Sequence, residues 1–176
     1  MKKIDRTSAI SLLCTNKLTS LDIESRESYI LDWWGIDDDD EEFSLLSEDI
    51  QAELIFNEDP PSDVANSKYN QLIIIGLAFE YRGVTNQYLS HDLSLMGMKN
   101  YEVFGSVEKL EICPCCEYRT LPSKGSYDVC GLCGWEDNGV DNPDVYSAPN
   151  HMTLAEAKRI FLSNISELSL NKWEKS

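Results

Sequence analysis

The stretch "EICPCCEYRTLPSKGSYDVCGLCGWEDNG", residues 111–139, holds five of the six cysteines in this 176-residue chain. Two pairs within it have C-x-x-C spacing: Cys113 with Cys116, and Cys130 with Cys133. A two-residue gap lets both sulfurs of a pair reach one ion, and two such pairs supply the four soft ligands of a tetrahedral zinc site. We therefore predict a zinc-ribbon hairpin with a structural Zn²⁺ bound by these four cysteines.

The two remaining cysteines and one histidine allow other assignments. Cys115 does not fit the C-x-x-C spacing, so we expect a free thiol beside the site. Cys14 lies on a predicted helix over "TSAISLLC", where a small buried apolar residue is the simplest interpretation. His151 is an alternative ligand in place of one cysteine, but its position eighteen residues beyond Cys133, at the entry to a predicted helix, favours a structural role. A redox function is less favoured, since redox C-x-x-C motifs lie in βαβ contexts and these pairs lie in Gly- and Pro-containing hairpin sequence.

The sequence offers no catalytic constellation. Four thiolates close the coordination shell of a metal, whereas a hydrolytic zinc keeps one position open for water. The chain has two histidines and contains no P-loop, GxSxG or HExxH motif. We therefore expect no enzymatic activity.

The composition is strongly acidic, with 31 Asp and Glu against 15 Lys and Arg and a net charge of -16. Nucleic-acid binding depends on cationic side chains that displace counterions, so we expect no nucleic-acid partner. An acidic surface suits a basic protein partner. The longest apolar run, "LIIIGLAF" at 72–79, is far shorter than the roughly 20 residues that span a bilayer, and no secretory signal is visible. We expect a cytoplasmic protein with no membrane partner.

Periodicity and turn residues predict an α+β fold in two parts. Residues 1–107 are predicted to form an acidic helical domain, and residues 108–176 a zinc-ribbon-like cysteine module with a C-terminal helix. Four amphipathic helices are expected, and a fifth, more apolar segment is expected to be the most buried helix, although its three consecutive isoleucines leave a strand possible. Two short strands, "NYEVFGS" and "VEKLEI", should lead into the cysteines. The predicted helices lie in residues 19–34, 41–56, 85–97 and 153–168, and the apolar one in residues 69–83.

The acidic run "DDDDEE" at 37–42 has two interpretations. It lacks the glycine and the alternating ligands of an EF-hand calcium loop. Acidic side chains before and inside the first turn of a helix are favourable near its positive dipole end. We favour a solvated helix entry and, compatible with it, a contact surface for a basic partner formed by Asp37, Asp38, Asp39, Asp40, Glu41 and Glu42.

Several short segments together resemble the bacterial CPCC cysteine-rich family: "CPCC", "YRTL", "YDVC", "CGWED" and "PNHMTLAEA", all within residues 112–160. "LDWWGIDDDD" and "YRGVTNQYL" are similar to segments of longer members with a helical N-terminal extension. Glu117 departs from the pattern, since glycine commonly follows the motif. The resemblance implies a cysteine-rich metal-binding module. It also implies that proteins of this kind are occasional neighbours of polymorphic toxins in bacteria.

These observations lead to one favoured hypothesis and several alternatives. The favoured one is an immunity or antitoxin protein that neutralises a basic cognate toxin, a nuclease, through its acidic surface. The first alternative is a zinc-ribbon structural or adaptor protein with another protein partner. Nucleic-acid binding through the ribbon or through "YRGVTNQYLSHDLSLMGMK", and an enzyme, are weaker alternatives.

Overall fold

The computed structural model describes residues 2–176 and confirms the α+β class. The strands are short and occur in three separate two-stranded sheets. The helices are α1 (Arg6–Ser20), α2 (Ile23–Trp33), α3 (Glu48–Phe56), α4 (Asn70–Phe79), α5 (Asn86–Leu95) and α6 (Leu154–Ser163). The strands are β1 (Lys2–Asp5), β2 (Tyr101–Phe104), β3 (Glu111–Ile112), β4 (Arg119–Leu121), β5 (Tyr146–Ser147) and β6 (Met152–Thr153).

The chain forms two compact units. We call Thr7–Tyr81 the helical unit, and we call Arg82–Ser176 together with the N-terminal residues up to Arg6 the cysteine unit. This division lies upstream of the boundary between residues 107 and 108 that composition predicts. Compactness does not test whether either part folds alone, so the domain boundary stays a prediction.

The helical unit is built on a core of aliphatic side chains. The apolar segment at 69–83 forms a helix, α4, which packs against α2. Gly76 permits this close packing, because an added Cβ would lie 2.7 Å from a ring carbon of Tyr29 and 2.8 Å from Nε1 of Trp33. The most deeply buried side chains of the unit are Ile30, Ile50, Leu72, Ile73 and Leu77.

The prediction of one helix over 41–56 is wrong. A short 3₁₀ helix, Glu41–Leu45, is followed by two residues with extended backbone, Leu46 and Ser47, and α3 begins after them. The side chain of Gln51 stabilises the break by donating hydrogen bonds to the carbonyls of Phe43 at 3.0 Å and Leu46 at 3.1 Å. Phe43 in the 3₁₀ helix and Ile50 in α3 are both buried, so both segments contribute apolar side chains to the core, and periodicity alone does not reveal the interruption.

In the cysteine unit, the N-terminal strand pairs in parallel with β2, from Lys2 opposite Tyr101 to Asp5 opposite Phe104. The following residue, Arg6, is 6% exposed and donates to the carbonyl of Val84 at 2.6 Å and to a Glu108 carboxylate oxygen at 2.8 Å. The predicted strand over 107–112 is reduced to β3. Among residues 2–176, no helix combines the length and apolar character that a membrane crossing needs.

The final helix begins as predicted. The hydroxyl of Thr153 accepts from the backbone N–H of Glu156 at 3.2 Å, and the Glu156 carboxylate accepts from the backbone N–H of Thr153 at 2.8 Å. This reciprocal capping box fixes where α6 starts. The buried face of α6 consists of Leu154, Ala157 and Phe161.

Candidate metal centre

The two C-x-x-C pairs form two turns with the same backbone hydrogen bonds. In the first turn, the N–H of Glu117 donates to the carbonyl of Cys113 at 3.0 Å, and the N–H of Cys113 donates to the carbonyl of Tyr118 at 2.9 Å. In the second, Gly134 donates to Cys130 at 2.9 Å, and Cys130 donates to the carbonyl of Trp135 at 2.8 Å. The two pairs are therefore equivalent knuckles.

Each knuckle requires a left-handed residue after its second cysteine. Gly134 has φ +73°, a conformation that costs glycine nothing. Glu117 holds the same position in the first knuckle with φ +67°, which is unusual for a residue with a Cβ. The departure from the family pattern at Glu117 thus falls where the backbone favours glycine.

The four knuckle sulfurs lie together. The Sγ atoms of Cys113, Cys116, Cys130 and Cys133 are all within 4.8 Å of one another. Cys113 Sγ lies 3.7 Å from Cys133 Sγ, and Cys116 Sγ lies 3.6 Å from Cys130 Sγ. Four zinc–sulfur bonds of about 2.3 Å in a tetrahedron place the sulfurs about 3.8 Å apart, whereas a disulfide bond is only about 2.05 Å long. The arrangement therefore fits a four-thiolate metal site, and these cysteines could hold a metal ion.

The surroundings of Cys130 Sγ favour an anionic ligand. Cys130 Sγ lies 2.9 Å from the hydroxyl of Thr120 and accepts from the backbone N–H groups of Leu132 at 3.4 Å and Cys133 at 3.5 Å. Hydrogen bonds from Cys113, Cys116 and Cys133 lower the pKa of Cys130. Hydrogen bonds with the other three cysteines of the quartet, together with burial, raise the pKa of Cys116. Burial and the mutual contacts of the sulfurs oppose full deprotonation of the bare cluster, and a bound cation is what would keep all four deprotonated.

The other predicted residues lie outside this quartet. Cys115 is buried but is not one of the four clustered ligands, and Cys14 is fully buried on α1 in the helical unit. Burial raises the pKa of the Cys14 thiol to about 11. His151 is exposed in the turn before β6. Trp135 is 2% exposed directly after the second knuckle, and its indole N–H has no partner among the described residues.

Sequence reasoning missed the role of one carboxylate. Asp137 is 1% exposed, and its two oxygens accept from the backbone N–H groups of Gly125 at 2.7 Å and Gly139 at 3.2 Å. It thereby connects the loop between the knuckles to the loop after them. The bond to Gly139 spans two residues, as in an Asx turn, and "DNG" is the signal that could have indicated it.

The acidic run forms an exposed turn in the helical unit. The N–H of Asp37 donates to a carboxylate oxygen of Asp40 at 3.1 Å, and the N–H of Asp39 donates to the carboxylate of Asp37 at 3.0 Å. Glu41 and Glu42 occupy the first turn of the short 3₁₀ helix. Among residues 2–176, the cysteine quartet is the one group of possible metal ligands, and the acidic run is not part of one. Its role in partner binding stays a prediction.

Comparisons with known proteins cover only the cysteine-rich part of the chain. No curated protein and no solved structure matches. Residues 111–164 match the family model described as "Cysteine-rich CPCC". The matched segment runs from β3 through α6 and includes both knuckles, so the similarity to that family is confined to this segment of the chain.

Proposed function

We propose that this chain is a cytoplasmic, non-enzymatic immunity protein that binds and neutralises a basic cognate toxin, with a structural Zn²⁺ in the cysteine unit. One observation carries the proposal: the negative charge is concentrated on one of the two units. The helical unit has 17 Asp and Glu against three Lys and Arg, a net charge of -14. The rest of the chain has 14 against 12, a net charge of -2, and the two values give the total of -16.

The charge separation supports a basic protein partner. A toxin that cleaves nucleic acid must carry cationic side chains to bind its substrate. A strongly acidic unit presents a field of the opposite sign, which speeds encounter and selects a basic surface over a neutral one. The resemblance of the cysteine-rich segment to proteins that neighbour polymorphic toxins favours a toxin as that partner. The same field disfavours nucleic acid as a partner.

The donor set supports a structural zinc ion. Four thiolates saturate a tetrahedral shell, so no position remains for a reactive water. Zinc suits this site because it accepts four sulfur ligands and imposes no redox chemistry. When bound, the ion would hold the two knuckles together. The chain's own residues would position the sulfurs and form hydrogen bonds with them.

Metal analysis tests the first half of the proposal. We expect about one zinc ion per chain in protein purified without chelators, because the four sulfurs form one site. Cys113→Ser should reduce the metal content, while Cys115→Ser and Cys14→Ser, two cysteines outside the quartet, should leave it unchanged. Zinc-free protein, or full metal content in Cys113→Ser, would contradict the structural site.

The product of an adjacent toxin gene tests the second half. Coexpression should protect cells from that toxin, and purified proteins should form a complex that weakens as salt rises from about 0.1 M to about 1 M, where the Debye length falls from about 10 Å to about 3 Å. A complex formed instead with a protein that has no toxic activity would favour the adaptor alternative. Unimpaired toxicity in the coexpressing cells would refute the immunity function.

A further inference from the structure

A surface cavity of about 450 Å³ in the helical unit combines aromatic walls with carboxylates. Three aromatic residues line it: Trp34, Phe56 and Tyr69. Three acidic residues, Glu53, Glu58 and Asp59, complete its charged lining. No other part of the proposed function uses this cavity, which is separate in sequence from the acidic run at 37–42.

Two of the three carboxylates are free to bind a cation. Glu53 is already engaged, because it pairs with Lys68 and accepts from the hydroxyl of Tyr69 at 2.9 Å. Glu58 and Asp59 have no hydrogen bond or ion pair with any of the residues 2–176 that the structure describes. The cavity thus presents about two uncompensated negative charges.

The aromatic walls are held in place, with one exposed ring at the edge. Trp34 donates its indole N–H to the carbonyl of Asn57 at 3.2 Å and lies edge-on to Tyr69, with ring centroids 6.0 Å apart. Phe56, the last residue of α3, is 81% exposed, and its neighbour Ile55 is 62% exposed. Trp34 and Tyr69 are only 8% and 4% exposed, so Phe56 is the ring that the cavity presents most openly to solvent.

We propose that this cavity receives an arginine side chain of the basic partner. Arginine matches both features, because its guanidinium group stacks on aromatic faces and its fork of N–H donors pairs with carboxylates. Lys68 lies 4.7 Å from the Tyr69 ring centroid, so a cation already contacts one of these rings. The inference rests on the proposed function only for the source of the arginine, since the recognition chemistry belongs to the cavity itself.

A short peptide tests the cavity without the partner. Acetyl-Gly-Arg-Gly-amide is titrated into the full chain and compared with the same peptide carrying citrulline, the neutral isostere of arginine. The NMR signal of the Trp34 indole N–H reports binding, because this group lies in the cavity wall. We expect a saturable shift with the arginine peptide and about fivefold weaker binding of the citrulline peptide. Equal binding of both peptides, or no shift at Trp34, would overturn the inference.

Matched variants separate the cavity from the general acidic field. Phe56→Ala should weaken arginine-peptide binding about fivefold, whereas Leu45→Ala, which removes another exposed apolar side chain of the unit, should not. The double change Glu58→Gln and Asp59→Asn should abolish the preference for arginine over citrulline. An equal loss from Asp38→Asn with Asp39→Asn, which removes the same charge outside the cavity, would overturn the inference.

The two proposals fail in different ways. If the arginine peptide leaves Trp34 unaffected while the chain still neutralises an adjacent toxin, the cavity inference falls and the immunity function stands. If the peptide binds with the expected preference but the chain protects against no toxin, the cavity stands and the immunity function falls. Because all these changes are at exposed positions or lining side chains, circular dichroism of each variant provides the folding control.

Discussion

Replacing Thr120 with valine should weaken metal binding without emptying the site. Thr120 lies on β4, is 7% exposed, and places its hydroxyl 2.9 Å from Cys130 Sγ. A hydroxyl that donates to a metal-bound thiolate stabilises its negative charge and fixes its direction. Valine has nearly the same shape but cannot donate, so the change isolates the hydrogen bond from the packing.

The size of the effect follows from the other donors to the same sulfur. Loss of a group that supports a metal ligand typically costs about 10- to 100-fold in metal affinity. Two backbone N–H groups, at 3.4 Å and 3.5 Å, remain on Cys130 Sγ after the substitution. We therefore expect a loss near the lower end, about tenfold, or about 1.4 kcal/mol.

Competition for Zn²⁺ with a chromophoric chelator measures this affinity directly. Thr120→Ser is the matched control, because it keeps the hydroxyl and removes only the methyl group. Substitution by Co²⁺ gives a second measurement, since the sulfur-to-metal charge-transfer band should shift in Thr120→Val and stay in place in Thr120→Ser. An affinity of Thr120→Val within twofold of the wild type would refute the reasoning. So would an equal loss in Thr120→Ser, which would assign the effect to packing.

Three further predictions concern other buried or paired groups. Asp137→Ala should lower the free energy of unfolding in urea by at least about 3 kcal/mol, because two backbone N–H groups lose a charged acceptor, while Asp137→Asn should lose less. Burial alone would raise the pKa of Glu108, but hydrogen bonds from its own backbone N–H, Arg6 and Gly83 outweigh burial and lower it. Glu108 therefore stabilises the fold above its unfolded pKa, and the stability advantage of wild type over Glu108→Gln should shrink as pH falls from about 6 to about 3. Cys14, whose pKa is raised to about 11, should resist iodoacetamide at about pH 8 until the chain unfolds, as mass spectrometry of labelled peptides would show.

Local signals in the sequence predict the features that depend on near neighbours. The capping box at Thr153 and Glu156 and the N-cap at Thr85 involve residues three apart, and they start α6 and α5 where the predicted helices over 153–168 and 85–97 begin. The C-x-x-C pairs likewise fold into knuckles through hydrogen bonds within five residues. The approach of the two knuckles to each other is a longer-range feature, but the chemistry of four soft ligands anticipates it.

Features that depend on distant partners escape a single sequence. The parallel pairing of Lys2 with Tyr101 joins segments about 100 residues apart, and no local pattern in "KKID" indicates it. The start of α2 also differs from the predicted helix over 19–34, because Asp22 caps the helix by accepting from the N–H of Ser25 at 2.8 Å, and α2 begins at Ile23. Thr19, Ser20 and Asp22 are all of residue types that cap helices, and tertiary packing decides among them.

The distribution of charge bears on how metal and partner binding relate to each other. A Zn²⁺ ion on four thiolates would add about two negative charges to a unit whose formal charge is -2. Even then that unit would stay far less acidic than the helical unit, at -14. The field that would attract a basic partner therefore belongs to the helical unit whether or not metal is bound. A chelator should disrupt the knuckles and yet preserve salt-sensitive capture of a basic protein, so loss of both together would mean that the metal site itself forms part of the binding surface.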